Sequence, residues 1–237
     1  MASRIEPQAH RSSIAVDVDE DPRQALREAV IDATLRVIRE RGLARTRTSH
    51  IARAAGCAEG SIYRYFSGKS ELVRAALHSQ LRTLIAVLAD LPGRVGTATV
   101  EANLLEVTRA ALRFYGEGVT LIGCLLADTE LLAAEREYVA SHDVGPHRVA
   151  ADLAAYLKAE QGLGRVRPDA DVEVAGRLLL ASCLGESVFR ATDAAVDGAD
   201  QERYLRGLVR TVLGGVSATT PGTTSADLGS ARKERKR

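Results

Sequence analysis

The chain has 237 residues, of which 46% are hydrophobic and 27% are charged. This balance is typical of a globular protein and excludes a disordered chain, and the length suffices for one small and one larger domain. No apolar run approaches the roughly 20 residues of a membrane-spanning helix. Residues 1–20 carry acidic side chains where a signal peptide needs an apolar stretch, so we expect a cytoplasmic protein.

Positive charge is concentrated near the N-terminus, although the net charge is only +1. Residues 21–70 hold ten Lys and Arg against five Asp and Glu, a balance of +5. Residues 71–216 hold fifteen against twenty, a balance of −5. This asymmetry predicts that the first domain faces a polyanion and that the second does not.

The three cysteines, Cys57, Cys124 and Cys183, are far apart in the sequence and form no C-x-x-C pair of the kind found in zinc sites and redox couples. We expect reduced, buried thiols and no metal or cofactor. A thiol sensor at Cys57 or Cys124 is the alternative, but neither residue has the neighbouring lysines or histidines that would lower a thiol pKa.

Helical periodicity runs along nearly the whole chain, and no segment shows sustained strand-like alternation, so the sequence predicts an all-α fold. Asp21 and Pro22 mark the start of a first helix that Gly42 ends. A long helix from about Ser70 to Leu91 is expected to connect two domains. Further helices are predicted at about residues 98–115, 119–127, 129–141, 147–161, 171–192 and 201–213.

The segment 46–72 carries the functional signal. Thr46 is expected to cap a short helix that Gly56 ends, and a second short helix is predicted from about Glu59 to Phe66. Two such helices joined by a tight turn form a helix-turn-helix, whose second helix enters the major groove of DNA. The predicted DNA-binding residues are Arg47, Thr48, Glu59, Gly60, Ser61, Tyr63, Arg64, Tyr65 and Lys69.

The spacing of the apolar residues in the second short helix predicts which of its faces is buried and which is exposed. Ile62 and Phe66 are four residues apart and are expected to enter the core beside Ile51 and Cys57. On the outer face, Arg64 would read guanine or bind phosphate, and the sequence does not separate these two roles.

Glu59, in the first turn of the same helix, is acidic beside a phosphate backbone. It would accept a hydrogen bond from a cytosine amino group or have only a structural role at the helix start.

The pattern G-x-x-x-T-x-x-x-x-I-A-x-x-A-G followed by G-x-I-Y-x-Y-F-x-x-K-x-x-L closely resembles the TetR/AcrR family of bacterial regulators. It is carried by Gly42, Thr46, Ile51, Ala52, Ala55, Gly56, Gly60, Ile62, Tyr63, Tyr65, Phe66, Lys69 and Leu72. The resemblance implies an Ω-shaped homodimer that binds two operator half-sites, with phosphate contacts at Tyr63 and Lys69. Ala58 departs from the family, which usually has a Ser or Thr cap there; this weakens the helix start by about 1 kcal/mol.

Composition and the helix pattern, together with the resemblance, divide the chain into four regions. These are a disordered tail at 1–20, a helix-turn-helix domain at 21–69, a ligand-binding and dimerisation domain at 70–216, and a disordered basic tail at 217–237. The basic tail would either be solvated or add sequence-independent affinity for DNA.

In this family the ligand cavity lies among the helices between the long connector and the dimer helices. The predicted ligand-binding residues are Leu84, Leu88, Val107, Ala111, Phe114, Tyr115, Cys124, Leu125 and Tyr138. The predicted dimer interface consists of Leu178, Leu179, Cys183, Leu184, Val188, Leu205, Leu208 and Val212. The alternative is that the last two helices only close the core of a monomer.

We therefore expect a transcriptional regulator, a repressor that a small-molecule ligand releases from double-stranded operator DNA, with no membrane partner. A helix-turn-helix activator, or a regulator controlled by a protein partner, is the alternative. A small helical enzyme is the other class. Gly68-Lys69-Ser70 resembles the end of a phosphate-binding loop, but Tyr63 stands where that loop needs glycine. His142 and His147 are the nearest approach to a metal pair, and a polar loop beside Pro146 explains them.

Overall fold

The computed structural model describes residues 21–193 and 200–215, and these form helices and turns without a β-strand. The predicted all-α class is therefore confirmed. The two predicted disordered tails lie outside the described residues. The chain divides into two compact units, one ending at Ala76 and the other beginning at Leu77.

The N-terminal unit contains α1 (Pro22–Arg41), α2 (Thr48–Ala55), α3 (Glu59–Ile62) and the start of α4 (Lys69–Asp90). Helix α1 begins as predicted, because the Asp21 carboxylate caps it by accepting a hydrogen bond from the Arg23 backbone N–H at 3.0 Å. It ends at Gly42, whose φ of +73° favours glycine. Helix α1 packs against α2, and the Arg36 guanidinium donates a hydrogen bond to the Ala54 carbonyl at 2.9 Å.

The C-terminal unit contains the rest of α4 and five further helices. After a 3₁₀ turn at Leu91–Arg94 come α5 (Val100–Ala127), α6 (Thr129–His142), α7 (Pro146–Gly162), α8 (Val172–Thr192) and α9 (Asp200–Gly214). Helix α5 lies at the centre of this unit, where it packs against α6, α8 and α9. Helix α7 packs against the other side of α8.

Helix α5 corrects the sequence-based prediction, which divided it into segments 98–115 and 119–127. The helix continues through Gly116 and Gly118 without a break. Gly118 is buried, and a Cβ atom there would lie 3.5 Å from the Leu77 Cδ1 atom. A contact at that distance is an ordinary van der Waals contact, so the position does not require glycine. The packing of α5 against α6, α8 and α9 keeps the helix continuous despite the low helix propensity of glycine.

Two helical segments, Lys69–Arg94 and α5, are long and apolar enough to cross a membrane by length and composition alone. The sequence-based expectation concerned uninterrupted apolar runs, whereas these two segments are apolar on average and contain charged residues such as Arg82 and Arg109. Core helices of globular proteins share these properties, because a helix in contact with several neighbours needs a wide apolar face. In α5 this face is buried against α8 and α9, so its composition has an explanation within the fold.

A fully buried carboxylate ties the end of α7 to the turn before α5. The Oε1 atom of Glu160 accepts a hydrogen bond from the Gly96 N–H at 3.2 Å, and Oε2 lies 3.4 Å from the Arg165 Nε atom. Arg165 in turn donates hydrogen bonds to the carbonyls of Thr97 and Ala98 at 3.3 and 2.5 Å. The carboxylate thus connects α7 to the turn before α5 through charge-assisted hydrogen bonds.

Replacement of Glu160 by alanine should destabilise the C-terminal unit. It removes the partner of Arg165 and leaves the Gly96 N–H without its acceptor, a loss of about 2–3 kcal/mol. Urea denaturation followed by circular dichroism measures this change. Glu137→Ala, at an exposed position of α6, is the control and should leave the free energy of unfolding within about 0.5 kcal/mol of wild type. Equal stability of the two variants would contradict the assigned role.

Candidate nucleic-acid interface and ligand cavity

The turn between α2 and α3 has the geometry of a helix-turn-helix. Gly56 ends α2 in the left-handed conformation, with φ of +70° and ψ of +29°. Its N–H bonds to the Arg53 carbonyl, and the Cys57 N–H returns to the Ala52 carbonyl at 3.0 Å. These bonds satisfy the last carbonyls of α2 and reverse the chain within a few residues. The predicted stop at Gly56 is confirmed.

The predicted helix from Glu59 to Phe66 is shorter than expected, because α3 ends at Ile62 and turns follow. The N–H groups of Tyr65 and Phe66 both donate to the Ile62 carbonyl, each at 3.0 Å. A shared acceptor of this kind is common where an α-helix tightens at its end. No side chain caps α3 at Ala58, as the sequence indicated.

The inner side of this segment anchors it in the N-terminal core. Ile62 is fully buried, and Phe66 and Ile51 are 2% and 1% exposed, as their spacing predicted. Cys57 is only half-buried, which corrects its expected place beside them, because it lies at the turn. The guanidinium of Arg27 lies over the Phe66 ring, 5.5 Å from its centroid.

The outer side presents the predicted DNA-binding residues to solvent. Tyr63 is 55% exposed, and Arg64 beside it is also exposed. The Tyr63 hydroxyl lies 3.2 Å from the Thr48 Oγ1 atom, so the end of α3 and the start of α2 form one polar surface. Among the other predicted residues, Arg47, Glu59, Gly60 and Lys69 are exposed, whereas Ser61 and Tyr65 are half-buried.

Lys69 has a contact that the sequence did not predict. Its ammonium group donates a hydrogen bond to the Leu43 carbonyl at 2.6 Å, in the loop between α1 and α2. Thr46 does not cap α2, which corrects another expectation. Its buried hydroxyl instead donates to the Gly42 carbonyl at 2.8 Å, and Arg47 takes the capping position. Both bonds hold the loop that precedes the polar surface.

An apolar cavity of about 390 Å³ lies within the C-terminal unit, among α4, α5, α6, α7 and α8. Four of the nine predicted ligand-binding residues line it, namely Leu84, Phe114, Tyr115 and Leu125. Burial raises the pKa of Tyr115 to about 12, so its hydroxyl stays neutral. The sequence missed the other apolar residues of the wall: Leu77, Leu81, Ile122, Leu126, Leu132, Val139, Val149 and Leu184.

The remaining five predicted ligand residues do not line this cavity. Leu88, Val107 and Ala111 are buried in the core of the unit, where neighbouring helices cover them. Cys124 is half-buried on α5 but outside the wall. Tyr138 lies between two histidine rings, with centroids 5.0 Å from His78 and 4.1 Å from His142.

A polar pair in the cavity wall escaped the sequence analysis. His78 on α4 and Glu135 on α6 lie 57 positions apart, and the Nε2 atom of His78 is 2.9 Å from the Glu135 Oε1 atom. Neither residue belongs to a sequence motif that would indicate a partner on another helix. Only the packing of α6 beside α4 brings the two side chains together.

The predicted dimer residues divide into two groups. Leu179, Cys183 and Leu205 are completely buried in the core of the chain, so they do not lie on its surface. The Cys183 Sγ atom lies 3.7 Å from the Thr108 carbonyl oxygen of α5, an inward contact that the apolar composition of α8 did not reveal. The other predicted residues are exposed or half-buried: Leu178, Leu184, Val188, Leu208 and Val212.

The exposed side of α8 is itself apolar. Val174, Leu178, Val188 and Phe189 are 42–65% exposed, and Ala181 and Gly185 lie between them at helical spacing. A contiguous apolar stripe with small residues at its centre is typical of a helix that packs against a partner.

The sequence model of the family "Bacterial regulatory proteins, tetR family" matches residues 30–76, which contain the helix-turn-helix. Residues 30–76 thus carry the sequence signature of this family. Its N-terminal region is 45% identical over 56 residues to the transcriptional regulator TtgR of Pseudomonas putida, an alignment that covers 24% of this chain and 27% of TtgR. The repressor KstR of Rhodococcus jostii is 28% identical over 97 residues, which cover 41% of this chain and 46% of KstR. The chain therefore spans less than half the length of these relatives.

Solved structures extend the likeness in fold to about four fifths of the chain. The regulator FadR from Bacillus subtilis, in complex with stearoyl-CoA, aligns over 81% of this chain and 100% of its own, with a TM-score of 0.60 and 18% identity. A protein described as a TetR-family regulator from Mesorhizobium loti aligns over 82% and 98%, with a TM-score of 0.65 and 18% identity. At this identity the likeness concerns the fold.

The polar loop after α6 contains no group of three metal-binding side chains, and none occurs elsewhere in residues 21–193 and 200–215. The Nε2 atom of His147 lies 3.4 Å from the Asp143 Oδ1 atom, whereas His142 stacks on Tyr138. The two histidines thus have separate partners.

Native alkylation should distinguish Cys57, Cys124 and Cys183. Cys183 is fully buried, and burial, aided by the nearby Glu186 carboxylate, raises its pKa to about 12. Below that pH its thiol stays protonated and inert. Iodoacetamide at pH 8 should therefore modify half-buried Cys57 and Cys124 before Cys183, as measured by peptide mass spectrometry. Modification of all three at equal rates, with a urea-unfolded sample as the reference, would contradict this placement.

Proposed function

We propose that this protein is a member of the TetR family and a homodimeric, sequence-specific DNA-binding regulator of transcription that acts in the cytoplasm. The observation that carries the proposal is the polar surface formed by Tyr63, Arg64 and Thr48 above a buried anchor of Ile62 and Phe66. A short helical segment held from below, with polar and basic groups outward, suits insertion into the major groove.

The charge of the N-terminal region supports DNA as the partner. Residues 21–70 carry a balance of +5, and exposed Arg47, Arg64 and Lys69 surround the polar surface. Basic side chains neutralise phosphates and release counterions, which supplies much of the affinity for DNA. Tyr63 and Thr48 hydroxyls add hydrogen bonds that position the protein on the backbone.

The exposed stripe on α8 supports a homodimer. Val174, Leu178, Val188 and Phe189 would be removed from water when two copies pair through the same surface. Dimerisation would place two helix-turn-helix segments on two half-sites of one operator.

Control by a small molecule is supported by the cavity in the C-terminal unit. Its volume of about 390 Å³ and its apolar wall are typical of ligand sites. The FadR structure of similar fold holds stearoyl-CoA, and KstR is named a repressor. We propose that occupation of the cavity releases this protein from its operator and so relieves repression.

Substitutions on the polar surface should weaken DNA binding without changing the fold. Tyr63→Ala and Arg64→Ala each remove an exposed side chain, so an affinity loss of about tenfold or more is expected for each. Fluorescence anisotropy with a duplex from the protein's own promoter region, at two salt concentrations, measures this loss. If Arg64 contacts a phosphate, its removal also lowers the salt dependence by about one counterion.

A matched control for Arg64 is Arg167→Ala, which removes an exposed arginine from the C-terminal unit. This variant should bind DNA as wild type does. Wild-type affinity in both Tyr63→Ala and Arg64→Ala, with the helical spectrum preserved, would refute the proposed interface.

The dimer surface is tested by Leu178→Glu. A charge in the middle of the apolar stripe should convert the protein to monomers, because an unpaired buried carboxylate is costly, while the exposed position leaves the fold intact. Sedimentation velocity measures the change. The control is Ile85→Glu on α4. Ile85 is as exposed as Leu178 and of the same size, so this variant should leave the association state unchanged. A Leu178→Glu variant that sediments as wild type would exclude this surface.

A further inference from the structure

Glu135 has a carboxylate oxygen that the fold leaves unused. Its Oε1 atom lies 2.9 Å from the His78 Nε2 atom, while Oε2 is buried and has no hydrogen-bond partner among the described residues. The side chain is only 14% exposed, and it lines the apolar cavity. A buried acceptor without a donor loses its hydration and receives nothing in return.

We propose that the cavity binds an apolar molecule with a hydrogen-bond-donating head group, a hydroxyl or a protonated amine, and that Glu135 accepts this donor through Oε2. The proposal rests on the proposed function, since it specifies the ligand of the same cavity. It adds a head-group chemistry and the residue that selects it.

The wall of the cavity restricts where such a head group would bind. Leucine, isoleucine, valine and aromatic side chains form most of it, and they suit an apolar body. Besides Glu135, the charged or titrating side chains in the wall are His78, Tyr115 and Arg136. His78 already contacts Glu135, and Tyr115 lies on α5 beside Phe114 at a ring distance of 4.9 Å. The unused oxygen of Glu135 is therefore the acceptor that needs a donor.

A carboxylate head group fits this site less well. It would place a second negative charge beside Glu135 in an environment of low dielectric constant. Arg136 lines the same cavity but is exposed to solvent, so its attraction for an anion is screened. Because the Glu135 carboxylate is largely buried, the site favours a head group that donates a hydrogen bond over one that carries a negative charge.

The histidine side of the pair is held in place by stacking. The His78 ring lies 5.0 Å from the Tyr138 ring, which stacks on His142 at 4.1 Å with an angle of 23° between the planes. This row of rings restrains His78, and through the 2.9 Å contact it restrains the Glu135 carboxylate. Tyr138, predicted as a ligand contact, would thus act as a positioning residue.

Isothermal titration calorimetry of the full chain with four probes of equal carbon number tests the assignment. The probes are n-octanol, its isomer methyl heptyl ether, n-octylammonium and n-octanoate. We expect n-octanol and n-octylammonium to bind about tenfold or more tightly than the ether, because a hydrogen bond to a buried charged acceptor has that effect. Octanoate should bind more weakly than either donor. This series uses wild-type protein, so it does not depend on the folding of a variant.

Two matched variants locate the selectivity. Glu135→Gln removes the negative charge and should weaken n-octylammonium about tenfold or more while the ether is little affected. Glu137→Gln makes the same change at an exposed position of the same helix, outside the cavity wall, and should bind all probes as wild type does. Leu125→Trp, which fills the cavity, should reduce binding of every probe. Circular dichroism checks that each variant keeps its helicity.

The outcomes separate the two proposals. Equal affinity of wild type for n-octanol and the ether, or octylammonium binding that Glu135→Gln leaves unchanged, would overturn the role of Glu135 while the cavity still binds apolar ligands. Absence of binding for all four probes, or binding that Leu125→Trp does not reduce, would overturn the ligand cavity of the proposed function as well. A preference of wild type for both donors over the ether supports both proposals, provided that Glu135→Gln weakens n-octylammonium and Glu137→Gln does not.

Discussion

The burial of Ile62 and Phe66 determines how the N-terminal unit presents its chemistry. These side chains lie four residues apart, enter the core beside Ile51, and hold a segment with only one α-helical turn. A helix this short has little stability of its own, so tertiary packing must supply its order. Because the inner positions are anchored, Tyr63 and Arg64 between them are directed outward. The polar surface is thus a consequence of the apolar anchor beneath it.

Hydrogen bonds from the surrounding chain complete this arrangement. The buried Thr46 hydroxyl donates to the Gly42 carbonyl, and the Lys69 ammonium donates to the adjacent Leu43 carbonyl, at the start of the loop between α1 and α2. The Thr48 and Tyr63 hydroxyls meet across the two helices at 3.2 Å. Residues that a sequence pattern marks as DNA contacts therefore also stabilise the module, and substitution at Lys69 combines both effects.

Two carboxylates in the C-terminal unit, those of Glu160 and Glu135, differ in the partners that surround them. Glu160 is completely buried, and the Gly96 N–H and the Arg165 guanidinium compensate its charge. Glu135 is 14% exposed and lines the cavity, and its buried Oε2 atom has no hydrogen-bond partner among the described residues. A compensated buried charge stabilises the fold, whereas an uncompensated acceptor beside a cavity favours a ligand that supplies the donor.

The amino-acid sequence alone determined the helical class, the ends of α1 at Asp21 and Gly42, the stop at Gly56 and the burial of Ile62 and Phe66. These features depend on local spacing and on the conformational preference of single residues, which the order of the chain contains. Tertiary structure decided the rest. The continuity of α5 through Gly118 and the burial of Leu179 depend on neighbouring helices that are distant in sequence. The meeting of His78 with Glu135 depends on them too, because no local pattern records which faces of two helices will touch.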